Sequence, residues 1–401
     1  MPVEISSVLV YLAVFLIAAK LGGLLAARIK QPAVFGELLF GILIGPSVAG
    51  WVSQQLGLPL LIDPNASVFS GFISPIADVG IILLLFLAGL SIDVDELKAA
   101  GRASTVVATT GVIAAFTLGF GVAFLCGWTS LQAAFVGAVL AATSVGIAVR
   151  TLVDINRLHT RVGMTILGAA VIDDVIGIMI LSVLAGLAHG SVPLLELAKD
   201  LSLIAIFFIA AIYIGLKLVP RVITYIDKLP VEEMALSVAL ALAFIMGALA
   251  EEVRLAAITG AFVAGIIMSR ATIAGSLRGK ISTIGYGLFI PMFFVGMGVQ
   301  TNLGALTNVG LLALALVIVA MFDKIVGCGV GALLGGFGWK DSLRVGAGMM
   351  PRAEVALVVA SIGVKTGILP TDSPLFSITV MIVLVTSLVT PLLVKLAFRG
   401  T

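Results

Sequence analysis

Five charged residues stand in stretches that are otherwise apolar: Asp173, Asp174, Lys324, Arg352 and Glu354. The first two are neighbours in Ala170-Val171-Ile172-Asp173-Asp174-Val175-Ile176-Gly177. Neighbours on a helix point about 100° apart, so one acid can face a protein partner while the other faces a water-filled cavity. Two carboxylates this close repel, and such a pair can exchange a proton for a metal cation. Lys324 lies in Met321-Phe322-Asp323-Lys324-Ile325-Val326-Gly327, and Asp173 is its expected partner. A buried lysine can release its proton when its partner is taken by an ion. The bland alternatives are an ordinary ion pair for the aspartates and a permanent salt bridge between two helices for Lys324. An ordinary pair needs one acid, and here there are two. Asp323 receives no role from the sequence.

Two further stretches should break helices. Met350-Pro351-Arg352-Ala353-Glu354 contains a proline, which removes a backbone donor. Thr143-Ser144-Val145-Gly146 interrupts an apolar run with two hydroxyls. Two broken helices crossing at the midplane would present carbonyls and hydroxyls, hard oxygen ligands suited to an alkali cation. Arg352 and Glu354 are suited to neutralise the exposed half-helix dipoles. The alternatives are a simple kink with a local Arg–Glu pair, and back-bonding of Thr143 and Ser144 to the preceding turn. Glu37 is expected near the inner end of its span, bonding across to a neighbouring helix. Asp78 is expected to cap or start a span, and His159 and His189 to lie solvated in loops.

The elements carrying these residues must lie in lipid. The chain has 401 residues, 61% hydrophobic and 11% charged. A soluble chain carries about 25% charge and about 45–50% apolar residues. So few charges cannot cover a water-compatible surface, and a mid-membrane charge costs about 2.5–3.5 kcal/mol unless paired. A formal net charge of +2 is too small to suggest a nucleic-acid partner. Cys126 and Cys328 give no metal spacing and read as buried thiols. The N-terminus lacks the basic start and cleavage site of a signal peptide. The apolar runs predict thirteen spans, near 6–20, 33–50, 76–92, 104–126, 131–150, 162–188, 200–219, 232–250, 256–270, 284–300, 306–336, 341–364 and 373–396. With the N-terminus outside, eighteen of the 23 lysines and arginines fall on the inner side, three outside and two within spans. That bias supports an odd number of spans.

An internal repeat is visible. Gly36-Glu37-Leu38-Leu39-Phe40-Gly41-Ile42 resembles Gly260-Ala261-Phe262-Val263-Ala264-Gly265-Ile266, and Phe86-Leu87-Ala88-Gly89-Leu90 resembles Phe294-Val295-Gly296-Met297-Gly298. Gly127-Trp128 and Gly338-Trp339 open two further matched spans. Each pair is seven spans apart, an odd number, so the halves are inverted and the seventh span links them. Inverted repeats belong to secondary transporters, with the site where the repeats meet.

With these residues in view, the chain resembles the bacterial monovalent cation:proton antiporters of the Nap/Kef branch, most closely the NapA-type sodium/proton antiporters. The likeness covers nearly the whole length. It rests on Gln31-Pro32-Ala33-Val34-Phe35-Gly36-Glu37 with Gly45-Pro46-Ser47, Ala142-Thr143-Ser144-Val145-Gly146-Ile147, Val171-Ile172-Asp173-Asp174-Val175, Pro291-Met292-Phe293-Phe294 and Met350-Pro351-Arg352-Ala353-Glu354-Val355. The double aspartate with the later lysine is its specific part. The resemblance implies an all-α polytopic membrane protein with about thirteen transmembrane helices, two inverted six-helix repeats and two crossed discontinuous helices. It implies a homodimer with a core domain (76–188 and 284–396) moving like an elevator against a dimerisation domain (6–50 and 232–270), joined by a linker helix (200–219). Asp174, with Asp173, would be the Na⁺ and proton site, Asp173 would pair with Lys324, and Thr143 and Ser144 would line the break. The family often has Gly where this chain has Ala353. Kef-type relatives carry a long cytosolic nucleotide-binding tail; the sequence ends at Thr401, so that regulation is not expected.

The expected activity is secondary active sodium/proton antiport by alternating access, electrogenic if two protons move per cation. No enzyme activity and no cofactor are expected, only transported Na⁺ and protons. The expected location is the inner or plasma membrane, C-terminus cytoplasmic. The rivals are a K⁺/H⁺ antiporter, a cation channel or sensor without proton exchange, an organic-anion symporter, and an aspartyl protease. The symporter needs no adjacent aspartates, and the protease would place its acids on different helices.

Overall fold

The computed structural model describes residues 5–57, 62–64, 66–92, 94–188, 194–227, 229–300, 310–352, 354–365, 368 and 375–399. Every regular element among them is helical. In chain order these are α1 (Ile5–Arg28), α2 (Ala33–Ile44), α3 (Trp51–Leu56), α4 (Ser74–Leu90), α5 (Val94–Leu125), α6 (Ser130–Ala141), α7 (Val145–Asp154), α8 (Arg161–Ala188) and α9 (Leu194–Ile226). There follow α10 (Met234–Glu252), α11 (Ala257–Met268), α12 (Ala274–Ile284), α13 (Ile290–Val299), α14 (Gly310–Leu334), α15 (Trp339–Gly348), α16 (Glu354–Lys365) and α17 (Leu375–Ala397). Lipid offers the backbone no hydrogen bonds, so helices that satisfy themselves are one of its two spanning solutions. Among the described residues, 11 helical segments are long and apolar enough to cross a membrane, and Ala257–Met268 is a shorter apolar helix. The chain is a multi-pass, all-helical membrane protein.

Three helices extend well beyond the apolar runs that predict them. α5 opens at Val94, well before 104; α9 runs beyond 200–219 at both ends; α12 opens at Ala274, before 284. The added turns carry Asp95, Arg102, Lys199, Arg221, Arg278 and Lys280. Apolar content locates the lipid-embedded centre of a helix. Its backbone bonds continue into the aqueous edge, where charged side chains are solvated. The expected start of the 306–336 span lies outside the described residues.

Contacts gather the helices into two compact units. The first comprises Met1–Ile17, Asn65–Lys98 and Leu194–Gly296. Within it α11 packs against α4 and α10, and Phe15, Phe86, Phe262 and Phe294 are buried. The second comprises Ala18–Pro64, Ala99–Pro193 and Met297–Thr401. Its core is built by α5, α6, α8, α14, α16 and α17, with Phe135, Leu140, Leu316, Ile378 and Ile382 at its centre. Asp173, Asp174, Asp323, Lys324, Arg352 and Glu354 all lie in this second unit, whereas Asp78 lies in the first.

One reading of the sequence is corrected here. Cys328 is buried, but Cys126 is exposed. It follows the last residue of α5 and precedes Gly127 at φ 88°, so it sits in the turn beyond the apolar helix.

Candidate functional site

The two helix breaks form where the sequence weakens the helix. Helix α6 is started by a capping box: Thr129 Oγ1 accepts from the Gln132 N–H and Gln132 Oε1 accepts from the Thr129 N–H. It ends at Ala142, and Ser144 is extended at φ −94°, ψ 115° before α7 resumes. Helix α15 ends at Gly348 with Met349 as its cap. Pro351 then supplies no N–H and disfavours helix at Met350 before it. The breaks meet: the Ser144 N–H donates to the Pro351 carbonyl at 2.8 Å. One backbone bond thus joins two interrupted helices, each with carbonyls at one end and N–H groups at the other.

Thr143 and Ser144 are both buried. Thr143 Oγ1 has no hydrogen-bond partner among the described residues, so the back-bonded alternative does not describe it. Arg352 is completely buried. Its Nη1 donates to the Met350 carbonyl at 2.7 Å and the Met349 carbonyl at 3.4 Å. Those carbonyls form the negative end of α15, which a cation stabilises. The Arg352 backbone is held as well. Its N–H donates to Thr386 Oγ1 at 3.1 Å, and Ser387 Oγ donates to its carbonyl at 3.1 Å. Glu354 opens α16, but its side chain, like Ala353, lies outside the described residues.

Helix α14 joins the break to the aspartates. Its adjacent residues Asp323 and Lys324 have no exposed surface. Lys324 Nζ donates to Asp173 Oδ2 at 2.8 Å and Oδ1 at 3.0 Å. Asp323 points elsewhere and accepts from Arg352 Nη2 at 2.8 and 3.0 Å. The Lys324 backbone N–H also donates to Asp323 Oδ1. Asp173 is buried on α8, whereas Asp174 is half-buried. The structure therefore carries two ion pairs, Lys324–Asp173 and Arg352–Asp323, from neighbouring residues of α14, and Arg352 leads on to the carbonyls of the second break.

The structure also supplies what sequence reasoning missed. Asp323, Thr386 and Ser387 hold the break. A sequence signal existed only for Asp323, an acid inside an apolar span. Thr386 and Ser387 look like ordinary membrane-helix hydroxyls. Glu37 of α2 is buried and bonds across to Arg150 of α7 at 3.3 Å. Arg150 Nε lies 3.2 Å from Asp154 Oδ1, and Asp154 Oδ2 accepts from the Val34 N–H at the start of α2. Asp78 lies inside α4 rather than capping it, because helical structure already begins before it. His159 is exposed in a turn, and His189 lies outside the described residues.

Comparison with known proteins agrees over nearly the whole chain. The profile described as "Sodium/hydrogen exchanger, transmembrane" matches residues 13–399. The Na(+)/H(+)-K(+) antiporter GerN of Bacillus cereus is 36% identical over 390 residues, covering 96% of this chain and 95% of the relative. The high-affinity Na(+)/H(+) antiporter NhaS3 of Synechocystis is 34% identical over 427 residues, covering 100% and 91%. Among solved structures, the sodium proton antiporter MjNhaP1 of Methanocaldococcus jannaschii at pH 8 aligns with a TM-score of 0.69 at 19% identity, covering both chains completely. At that identity the likeness concerns the fold.

Proposed function

This chain belongs to the sodium/hydrogen exchanger family, a family of antiporters rather than enzymes, and from that premise we propose that it exchanges Na⁺ for protons across the cell membrane by alternating access. The observation that carries this reading is the position of Lys324 and Asp323. Adjacent on α14, one pairs with the double aspartate and the other with the arginine of a broken helix. Charge at the aspartates and geometry at the break are thereby tied to one element. Asp174, with accessible surface left, takes the cation or a proton, and Asp173 contributes the second carboxylate. Thr143 and Ser144 add oxygens beside the break. With Na⁺ bound, Asp174 is ionised and the Asp173–Lys324 pair loosens; with protons bound, the site is neutral and crosses. Two protons exchanged per cation make transport electrogenic.

The repeat and the thirteen-span count belong to the same reading. In this reading α11 and the broken α15–α16 pair are added as two passes to the 11 long segments among the described residues. Support for inverted repeats comes from two glycine crossings that stand one place out of step in the matched pentapeptides. A Cβ at Gly89 would lie 2.2 Å from Phe262 O, and one at Gly298 would lie 2.3 Å from Leu38 O. Leu38 and Phe262 occupy equivalent places in the repeated heptad, so each half uses its glycine against the other half's copy. We assign 76–188 and 284–396 to a moving core, 6–50 and 232–270 to a homodimeric scaffold, and 200–219 to the linker. The division follows function and differs from the compact units, which follow contact. The N-terminus faces out and the C-terminus the cytoplasm. Potassium is a second cargo to consider, since K⁺ appears in the name of GerN and uses the same oxygen ligands.

A pH-sensitive dye in sealed proteoliposomes tests the proposal. Adding Na⁺, Li⁺ and K⁺ in turn should dissipate a preset pH gradient with at least one of them. Asp174→Asn should abolish the response. A variant that still exchanges would remove Asp174 from the role, and no response of the native protein to any alkali cation would remove the function.

A further inference from the structure

We propose that Asp323 is a positioning residue for cation binding: it anchors Arg352, and through Arg352 it fixes the carbonyl end of α15 at the crossed breaks. This rests on the antiport reading above. Asp323 and Lys324 are consecutive, fully buried and opposite in charge, yet their side chains do not pair with each other. Each reaches to a different element, Lys324 to α8 and Asp323 to Arg352 beyond the end of α15. Both oxygens of Asp323 are engaged by Arg352 Nη2, and Oδ1 also by the Lys324 N–H. Arg352 spends its other terminal nitrogen on the Met349 and Met350 carbonyls. A planar guanidinium can hold an acid and two carbonyls in one rigid fork, which a lysine cannot. Pro351, whose carbonyl accepts from Ser144, stands between Met350 and Arg352. Fixing Arg352 therefore fixes both sides of the proline and sets where the oxygens of the break point.

The test separates positioning from mere stability. Full-length native protein and the variants D323N, R352K and D323N/R352Q are reconstituted, and Na⁺-driven proton flux gives KM for Na⁺ and the maximal rate separately. Outer partners of ion ligands are each worth about 10–100-fold in affinity. D323N should raise KM by that range, with a lower melting temperature. D323N/R352Q removes both buried charges, so it should regain most of the melting temperature while KM stays raised. R352K keeps the charge opposite Asp323 but loses the fork, and it too should fold with a raised KM. If the double variant melts and binds Na⁺ like the native protein, the pair is a structural bridge and the proposal is wrong. Should the double variant fail to fold, a native KM in R352K overturns the proposal just as directly. Failure of the antiport reading looks different, because the native protein itself would then show no cation-driven flux.

Discussion

A single buried charge in a membrane helix is a strong statement about its partner. Lys324 has no exposed surface and donates to both oxygens of Asp173. Replacing a buried pair with apolar groups is often neutral, whereas removing one partner costs about 3–5 kcal/mol. Lys324→Ala should therefore lower the melting temperature of the detergent-solubilised protein by that equivalent, and Asp173→Asn in the same chain should recover most of it. If Lys324 carries a proton, Lys324→Ala also turns electrogenic transport electroneutral, read as loss of voltage dependence; retained electrogenicity removes Lys324 as a carrier. Thr143 offers the contrasting case. Its hydroxyl has no partner among the described residues, so Thr143→Val breaks no hydrogen bond. We expect unchanged stability and weaker Na⁺ affinity; a large drop in stability with native affinity would place the hydroxyl in the packing and not at the ion. The sequence marks Asp173, Asp174, Lys324 and Arg352 because each is anomalous for its surroundings. It leaves Asp323 without a role because nothing local says which of two neighbouring charges faces which helix.

The helices that hold these residues are placed by close packing of small residues, since apolar burial alone drives little association within lipid. The α5–α14 crossing shows what this demands. A Cβ at Gly111 would lie 2.3 Å from Cys328 Sγ and 3.4 Å from Lys324 Cδ. Overpacking of this kind destabilises by about 1–3 kcal/mol. Gly111→Ala should lower the melting temperature accordingly, and Gly111→Ala/Cys328→Ala should restore it by removing the sulfur in the way. If the double variant is no better than the single one, the lysine stem rather than the thiol limits the space. Both helix breaks are legible as such: Pro351 and the Thr143–Ser144 hydroxyls are local signals. The bond from Ser144 to Pro351 is not, because it joins residues far apart in the chain through the crossing of four half-helices. The same holds for the clasp of Glu37, Arg150 and Asp154 between α2 and α7. Sequence foresees a bond from Glu37 to a neighbouring helix without naming the helix.

For the whole molecule, the expected orientation makes Cys126 a reporter. It is exposed at the end of α5, whereas Cys328 is buried. With the N-terminus outside, that end of α5 faces the exterior. A membrane-impermeant maleimide should label Cys126 on right-side-out vesicles and spare Cys328. Labelling only on inverted vesicles would reverse the assigned topology and with it the sidedness of the proton and cation paths.

Composition and hydropathy determine that this chain lives in lipid as a bundle of helices, because the transfer of apolar residues is a local property that each segment carries alone. Local chemistry likewise fixes where two helices break and which acids and bases do not belong in hydrocarbon. The Lys324–Asp173 pair is expected from the sequence and is present; only the tertiary structure decides that Asp323 holds Arg352 and that the two breaks share a backbone bond. Those pairings depend on how helices distant in the chain cross and rotate against one another, and such angles are settled by the mutual packing of the helices rather than by any one of them.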